Sequence, residues 1–281
     1  MTDRAATVAK LSDYYRTAGI ATSTEPGAFF CSKRDECGRF LNGNRQSGAE
    51  AHVGRYFGVP FRLVMVSMDK GFREEYKTQK IEDRTREIES LFLEAERRWN
   101  EAELTPYTHG TIRLIEALVP EVDRKTPNVF THFAMINSAK CTCESGSMDH
   151  VDAQLYRNCS VHTNRELEIL EPDVVVSQGR LAAIGIGNQG EWADLDGHKV
   201  EELVEGVGPA FPQWRKDDLV EIAEKYIFWL KIGKEKRLVP WIEAPHPSDR
   251  AGRWKLYSLG LLPILSAMVR TMVRMEKSGN P

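Results

Sequence analysis

Four places along the chain put a chemically competent polar group directly after a short apolar run: Asp69-Lys70-Gly71, Asn137, Gln178-Gly179-Arg180 and His246-Pro247-Ser248. A carboxylate can orient water and stabilise a developing cation. An amide offers one donor and one acceptor to the edge of a planar ring. An imidazole can donate a hydrogen bond to an oxygen that gains negative charge. Each of these residues also has a plain structural use: Asp69 in a turn before Gly71, Asn137 as a strand cap, His246 in a turn fixed by Pro247. Four such endings together point to one crevice, because open parallel sheets bind ligands at the carboxyl ends of their strands. A second set is the cysteines: Cys31 and Cys37 early, Cys141, Cys143 and Cys159 near the middle. Their neighbours are polar (Lys33, Arg34, Asp35, Glu36, Thr142, Glu144), unlike those of core thiols.

The elements that must position these groups follow from hydrophobic patterning. Phe61 to Val66, Val129 to Ile136, Asp173 to Ser177 and Leu238 to Ile242 are short apolar runs with the β-branched content of buried parallel strands. Between them lie helical stripes over Lys80 to Leu104, Gln154 to Leu170, Asp217 to Ile232 and Leu256 to Glu276. The alternation predicts an α/β fold, a three-layer α/β/α sandwich around a short, mainly parallel four-stranded sheet. One domain over 1–281 is expected, with the first 30 residues or so peripheral and residues 185–215 a Gly-rich polar excursion.

Bulk properties narrow the function classes. With 281 residues, 41% hydrophobic and 28% charged, the chain can bury a substantial core. The net charge of −3 gives no overall cationic field, so any nucleic-acid contact needs a local patch. Residues 248–277 supply one, with six Lys/Arg against two acids, a local +4. The opening MTDRAATVAKLSDYYR has no secretory apolar core, and Leu256 to Met268 is too short for a bilayer span and holds Pro263. A cytoplasmic monomer that makes no membrane contact is the expectation. In that compartment five cysteines are metal ligands or idle thiols sooner than disulfides, and thiolates suit iron–sulfur clusters and zinc alike. The stretch Gly185 to Gly190 is misplaced for a dinucleotide loop, so no nucleotide cofactor is expected. His52, His109, His132, His150, His162 and His198 show no spacing that singles any of them out.

The four strand endings, in order and spacing, resemble the motif set of the uracil-DNA glycosylase superfamily, nearest to its iron–sulfur (family 4-like) branch. Val66-Ser67-Met68-Asp69-Lys70-Gly71 corresponds to the first motif, a strand followed by a turn carrying the water-activating acid or amide. Ile136-Asn137-Ser138-Ala139-Lys140-Cys141 is similar to the strand that runs into a base-reading asparagine and then Lys-Cys. The passage Leu167 to Arg180 is similar to the family's helix–Pro–strand–Gly-Arg segment, and His246-Pro247-Ser248 matches the last motif. The likeness runs from about Cys31 to Ser248. It departs from the family in the first motif, which lacks the usual Pro and the Glu-Ala-Pro-Gly wording. Where a Pro-Phe-Val-Gly stretch supplies the uracil-stacking phenylalanine, this chain has Glu74, Glu75, Tyr76 and Lys77.

The resemblance implies a monofunctional DNA glycosylase that flips a pyrimidine out of the helix and hydrolyses its N-glycosidic bond. Asp69 would aim water and stabilise the sugar cation, His246 would donate to the leaving base, and Asn137 would read the base edge. Lys70, Ser248, Arg250, Arg253 and Lys255 would contact DNA. Cys31, Cys37, Cys141 and Cys159 would hold an iron–sulfur cluster, 4Fe-4S by likeness, with zinc as the alternative metal and Cys143 as the alternative to Cys141. The early pair, CxxxxxC, is wider than the family's. Uracil or a modified cytosine, such as a hypermodified phage base excised in defence, is the expected substrate. A metal-stabilised nucleic-acid-binding protein without catalysis is the alternative, and an enzyme of free nucleosides a third.

Overall fold

The computed structural model describes residues 4–22, 31–37, 46–47, 50–68, 80–98, 105–120, 129–142, 153–187, 192–194, 197–249 and 252–277. In chain order the first elements are α1 (Arg4–Thr17), α2 (Arg34–Cys37), β1 (Gln46–Ser47), β2 (His52–Val53), β3 (Leu63–Ser67), α3 (Ile81–Arg98), α4 (Pro106–Leu118), β4 (Phe133–Asn137) and β5 (Cys141–Thr142). There follow α5 (Ala153–Leu170), β6 (Val174–Gln178), α6 (Arg180–Gly187), β7 (Trp192–Asp194), α7 (Gly197–Val207), α8 (Lys216–Tyr226), β8 (Ile227–Ile232), β9 (Arg237–Ala244), α9 (Arg253–Leu256) and α10 (Leu262–Lys277).

Among the described residues the sheet has seven strands where four were expected, in the order β2-β4-β3-β6-β9-β8-β7. Its centre, β4-β3-β6-β9, is all parallel and consists of the four strands legible in the apolar runs. The additions pair antiparallel at the two edges: β2 on β4, then β8 on β9 and β7 on β8. The helical stripe expected to continue to Ile232 stops at Tyr226, and Ile227 to Ile232 is strand β8. Its β-branched and aromatic residues fit a pleated, half-buried surface. Gly233 and Lys236, both at positive φ, turn the chain back into β9.

Alternation divides the core between the two faces of the sheet. Leu63, Met65, Phe133, Met135, Val174 and Val176 face α4, α7, α8 and α10. Val64, Val66, Ala134, Ile136 and Val175 face α1, α5 and α6. Burial on both sides explains why these strands read as continuous apolar runs. The N-terminal segment, expected at the periphery, contributes Leu11 and Tyr15 to this second face. Ile20 joins them there, and Arg4 Nε donates to the Val53 carbonyl oxygen at 2.9 Å. Residues 185–215, expected as an excursion, contain the end of α6, β7 and α7, and α7 packs on α10. Arg253–Glu276 is the one helix among the described residues long and apolar enough to cross a membrane. Its Leu262, Ile264, Leu265, Met268 and Val269 are core residues packed beneath the sheet.

His52 on β2 is fully buried, and its Nε2–H donates to the Phe130 carbonyl oxygen at 2.8 Å. Burial, followed by the nearby Arg84 and Arg4, pushes its pKa down to about 3 against the hydrogen bond's opposing pull. A folded pKa below the unfolded value of about 6.5 means the unfolded chain binds the extra proton. Stability contributed by neutral His52 is therefore full above about pH 6.5 and lost as pH falls toward 3. Urea unfolding at pH 7 and pH 5 should differ by about 2 kcal/mol from this residue alone, at about 1.4 kcal/mol per pH unit. A His52→Gln variant should lose that part of the slope.

Candidate active site

The four parallel strands end at one edge, with Ser67, Asn137, Gln178 and Ala244 as their last residues. By alternation from Met65, Met135 and Val176, the first three point to the α4 face, and all three are buried. Helix α4 starts at Pro106 after Thr105, whose side chain accepts from the Thr108 N–H. This cap places Tyr107 over the strand ends. Its hydroxyl lies 2.7 Å from Ser67 Oγ, 3.1 Å from Gln178 Oε1 and 3.1 Å from Met135 Sδ. Ser67 Oγ donates to Gln178 Oε1 at 2.7 Å, and Gln178 Nε2 donates to Thr111 Oγ1 at 2.9 Å. Burial raises the Tyr107 pKa, so the phenol keeps its proton and remains a donor in this network.

His246 is seated against the same tyrosine, with ring centroids 5.7 Å apart and planes 26° apart. On another side the chain approaches at Gly179, where φ is +95° and a Cβ would lie 3.1 Å from His246 Cβ. Only glycine meets both conditions. Pro247 packs on α4 at Gly110, where a Cβ would come within 2.3 Å of Pro247 Cβ. The Ser248 N–H donates to His246 Nδ1 at 3.1 Å. An Nδ1 that accepts leaves the neutral ring's proton on Nε2. Burial lowers the His246 pKa while Asp249 pulls it the other way, so the ring is neutral at pH 7. The result is a fixed, uncharged donor at the end of β9.

Asn137 is 3% exposed, and its Oδ1 accepts from Arg84 Nη2 at 2.8 Å. A guanidinium only donates, so this contact fixes which end of the amide carries oxygen. Asn137 Nδ2 is left buried without a hydrogen-bond partner among the described residues. Arg84, itself 1% exposed, also donates to the Glu50 carbonyl oxygen. The Glu50 carboxylate in turn accepts from the Thr22 and Ile81 amides, each at 3.0 Å, tying the start of α3 to this corner. Sequence reasoning missed Arg84 and Tyr107. Arg84 falls within the stripe expected over Lys80 to Leu104, whereas the helix that carries Tyr107 was not among those expected, and their partners are 28 to 71 residues away in the chain.

Of the expected DNA contacts, Ser248 and Lys255 are exposed. The Arg253 guanidinium is engaged by the Asp249 carboxylate, with Nε–Oδ2 at 2.7 Å and Nη2–Oδ1 at 3.1 Å. Arg270 is turned inward to the Ala117 carbonyl, so the local +4 is not all on one exposed face. Asp69, Lys70, Arg250 and Cys143 lie outside the described residues.

Cys37, Cys141 and Cys159 share a small buried group with Ala139, Leu155 and Tyr156. The Asn158 Nδ2 donates to Cys37 Sγ at 3.3 Å. Cys31 is half-buried, its sulfur 3.6 Å from His162 Nε2, and both Cys31 and Cys37 act electrostatically on Cys159. None of the four is in a disulfide, and burial pushes Cys159 up to about 12 against the pull of Lys140. Among the described residues no three His, Cys, Asp or Glu are arranged around a single metal ion. Thiols from three distant stretches of chain nonetheless gather at one end of α5. An all-sulfur donor set fits an iron–sulfur cluster, and four thiolates are also a zinc set. His162, which sequence reasoning passed over, belongs to this corner. It stands three residues after Cys159 on α5, a spacing that puts the two side chains on one helix face but does not by itself mark a site.

No protein-family model matches the chain, and no curated protein matches it.

Proposed function

We propose that the chain is a DNA glycosylase of the uracil-DNA glycosylase type, a single cytoplasmic domain acting as a monomer and built as a three-layer α/β/α sandwich. The observation that carries this reading is the neutral His246, its Nε2–H fixed, at the strand edge where the Asn137 amide N–H is left over. In the reaction, water attacks C1′ of the flipped nucleotide and the C1′–N bond breaks. The bonding pair leaves with the base. Asp69 orients the water, stabilises the sugar cation and receives the water's proton. His246 donates to the base oxygen that gains charge, and Asn137 donates to the base edge. Ser248, Lys255, Lys70, Arg250 and Arg253 hold the DNA backbone, Arg253 by exchanging Asp249 for phosphate.

Cys31, Cys37, Cys159 and either Cys141 or Cys143 would hold a 4Fe-4S cluster, or zinc in its place. Bound there, the group would fasten the N-terminal segment to the loop after Asn137. A modified cytosine, such as a hypermodified phage base removed in defence, is favoured over uracil because the stacking motif for uracil is absent and Tyr107 stacks on His246 instead. One observation favours the alternative of a non-catalytic nucleic-acid binder: the acceptor of Asn137 is already occupied by Arg84.

Abasic-site formation on DNAs carrying uracil, cytosine, hydroxymethylcytosine or glucosylated hydroxymethylcytosine decides between them, with Asp69→Ala alongside. Release of one base, lost in the variant, is expected. DNA binding with no release across the panel would leave the binder.

A further inference from the structure

His162 makes a contact that neither the core nor the base chemistry uses. It is 5% exposed, stands one turn beyond Cys159 on α5, and lies between two groups. Its Nε2 is 3.6 Å from Cys31 Sγ, and its Nδ1 is 2.6 Å from the Tyr14 hydroxyl. While Cys31 is a thiol, two arrangements satisfy this chain, since either the sulfur or the imidazole nitrogen can carry the shared hydrogen. A ligating cysteine is a thiolate. Its sulfur then has only lone pairs, and the contact is attractive only if Nε2 carries the proton. Nδ1 must accept in that case, and the Tyr14 O–H is the group in place to donate to it. Tyr14 keeps that hydrogen, because burial and the nearby Glu166 raise its pKa. Metal binding at Cys31 thus selects one tautomer from two.

We propose that His162, oriented by Tyr14, donates an Nε2–H···S hydrogen bond to ligating Cys31 and so sets the reduction potential of the cluster bound there. The inference rests on the cluster assignment made above. Hydrogen bonds to cluster sulfurs stabilise the more negative, reduced state, and partners behind the ligands fix ligand orientation. His162 is a positioning residue in this role and binds no iron itself.

The test uses full-length protein reconstituted without oxygen with ferrous iron and sulfide, as wild type, His162→Gln, His162→Leu and Tyr14→Phe. Iron and sulfide content, visible absorption and the reduction potential are measured for each. All four should load. In His162→Leu the oxidised form should gain about tenfold over the reduced, a fall of about 59 mV for one electron. His162→Gln, which keeps an amide donor, should recover part of the shift, and Tyr14→Phe should move the same way by less. Should His162→Leu fail to fold, the glutamine and Tyr14 variants still decide the matter. Equal potentials in loaded proteins would overturn the role of His162 and leave the cluster standing. A wild type that takes up no iron and sulfide would overturn both.

Discussion

Glu166→Gln should cost about 3–5 kcal/mol of folding stability. Glu166 on α5 has 2% side-chain exposure and faces Lys140 at 5%. Its other oxygen accepts from Tyr15 at 2.6 Å, and Tyr15 also accepts from the Ala51 N–H at 3.2 Å. Lys140 donates as well to the Asn137 carbonyl. One carboxylate therefore ties α1, α5 and the loop after β4 to the segment entering β2. A glutamine preserves shape but leaves the Lys140 ammonium buried without a countercharge, and desolvation then dominates. Replacing both partners, as Lys140→Met with Glu166→Leu, should cost far less than Glu166→Gln, because no charge is left stranded. Urea unfolding of the two variants at pH 7 compares them directly. Equal losses would mean that packing, and not the stranded charge, accounts for the effect.

The same network explains which parts of the structure were legible in the chain. The four central strands were, because burial on both faces forces uninterrupted β-branched runs such as Val174-Val175-Val176. The polar endings Asn137, Gln178 and His246 were legible for the same reason, since the runs mark where they stop. Strand β8 was not. The apolar stripe of α8 runs into it without a break, and its pairing with β9 is decided by the turn at Gly233 to Lys236. Strands of two or three residues such as β2 and β7 carry no period at all. Buried polar partners were equally hidden. Glu166 reads as one acid in a charged helix, Arg84 as one base in another, and Tyr15 as part of a polar N-terminus. Their contacts join residues 26 to 151 positions apart, and a pattern over neighbouring residues does not report on such pairs. The cysteines were legible by type, but that Cys37, Cys141 and Cys159 share one buried group was not, because they come from stretches far apart in the chain.

His246→Phe should lower base release by about 10²–10³-fold, the usual cost of removing one preorganised donor to a developing oxyanion. Phenylalanine keeps an aromatic face against Tyr107 and leaves the Gly179 and Gly110 packing intact, so DNA binding and melting temperature should change little. The pH dependence separates this role from general-acid catalysis. The Ser248 N–H on Nδ1 and the lowered pKa make the resting donor an uncharged Nε2–H, which is not titrated away above about pH 6.5. Single-turnover release should therefore be flat in its His246-dependent part from about pH 7 to 9. An imidazolium acid would instead lose rate as pH rises through its pKa, about tenfold per unit. A falling limb in that range, absent from His246→Phe, would mean that the proton sits on both ring nitrogens in the reacting complex. The Ser248 contact would then have to break on binding DNA, and His246 would be a titrating acid and not a fixed neutral donor.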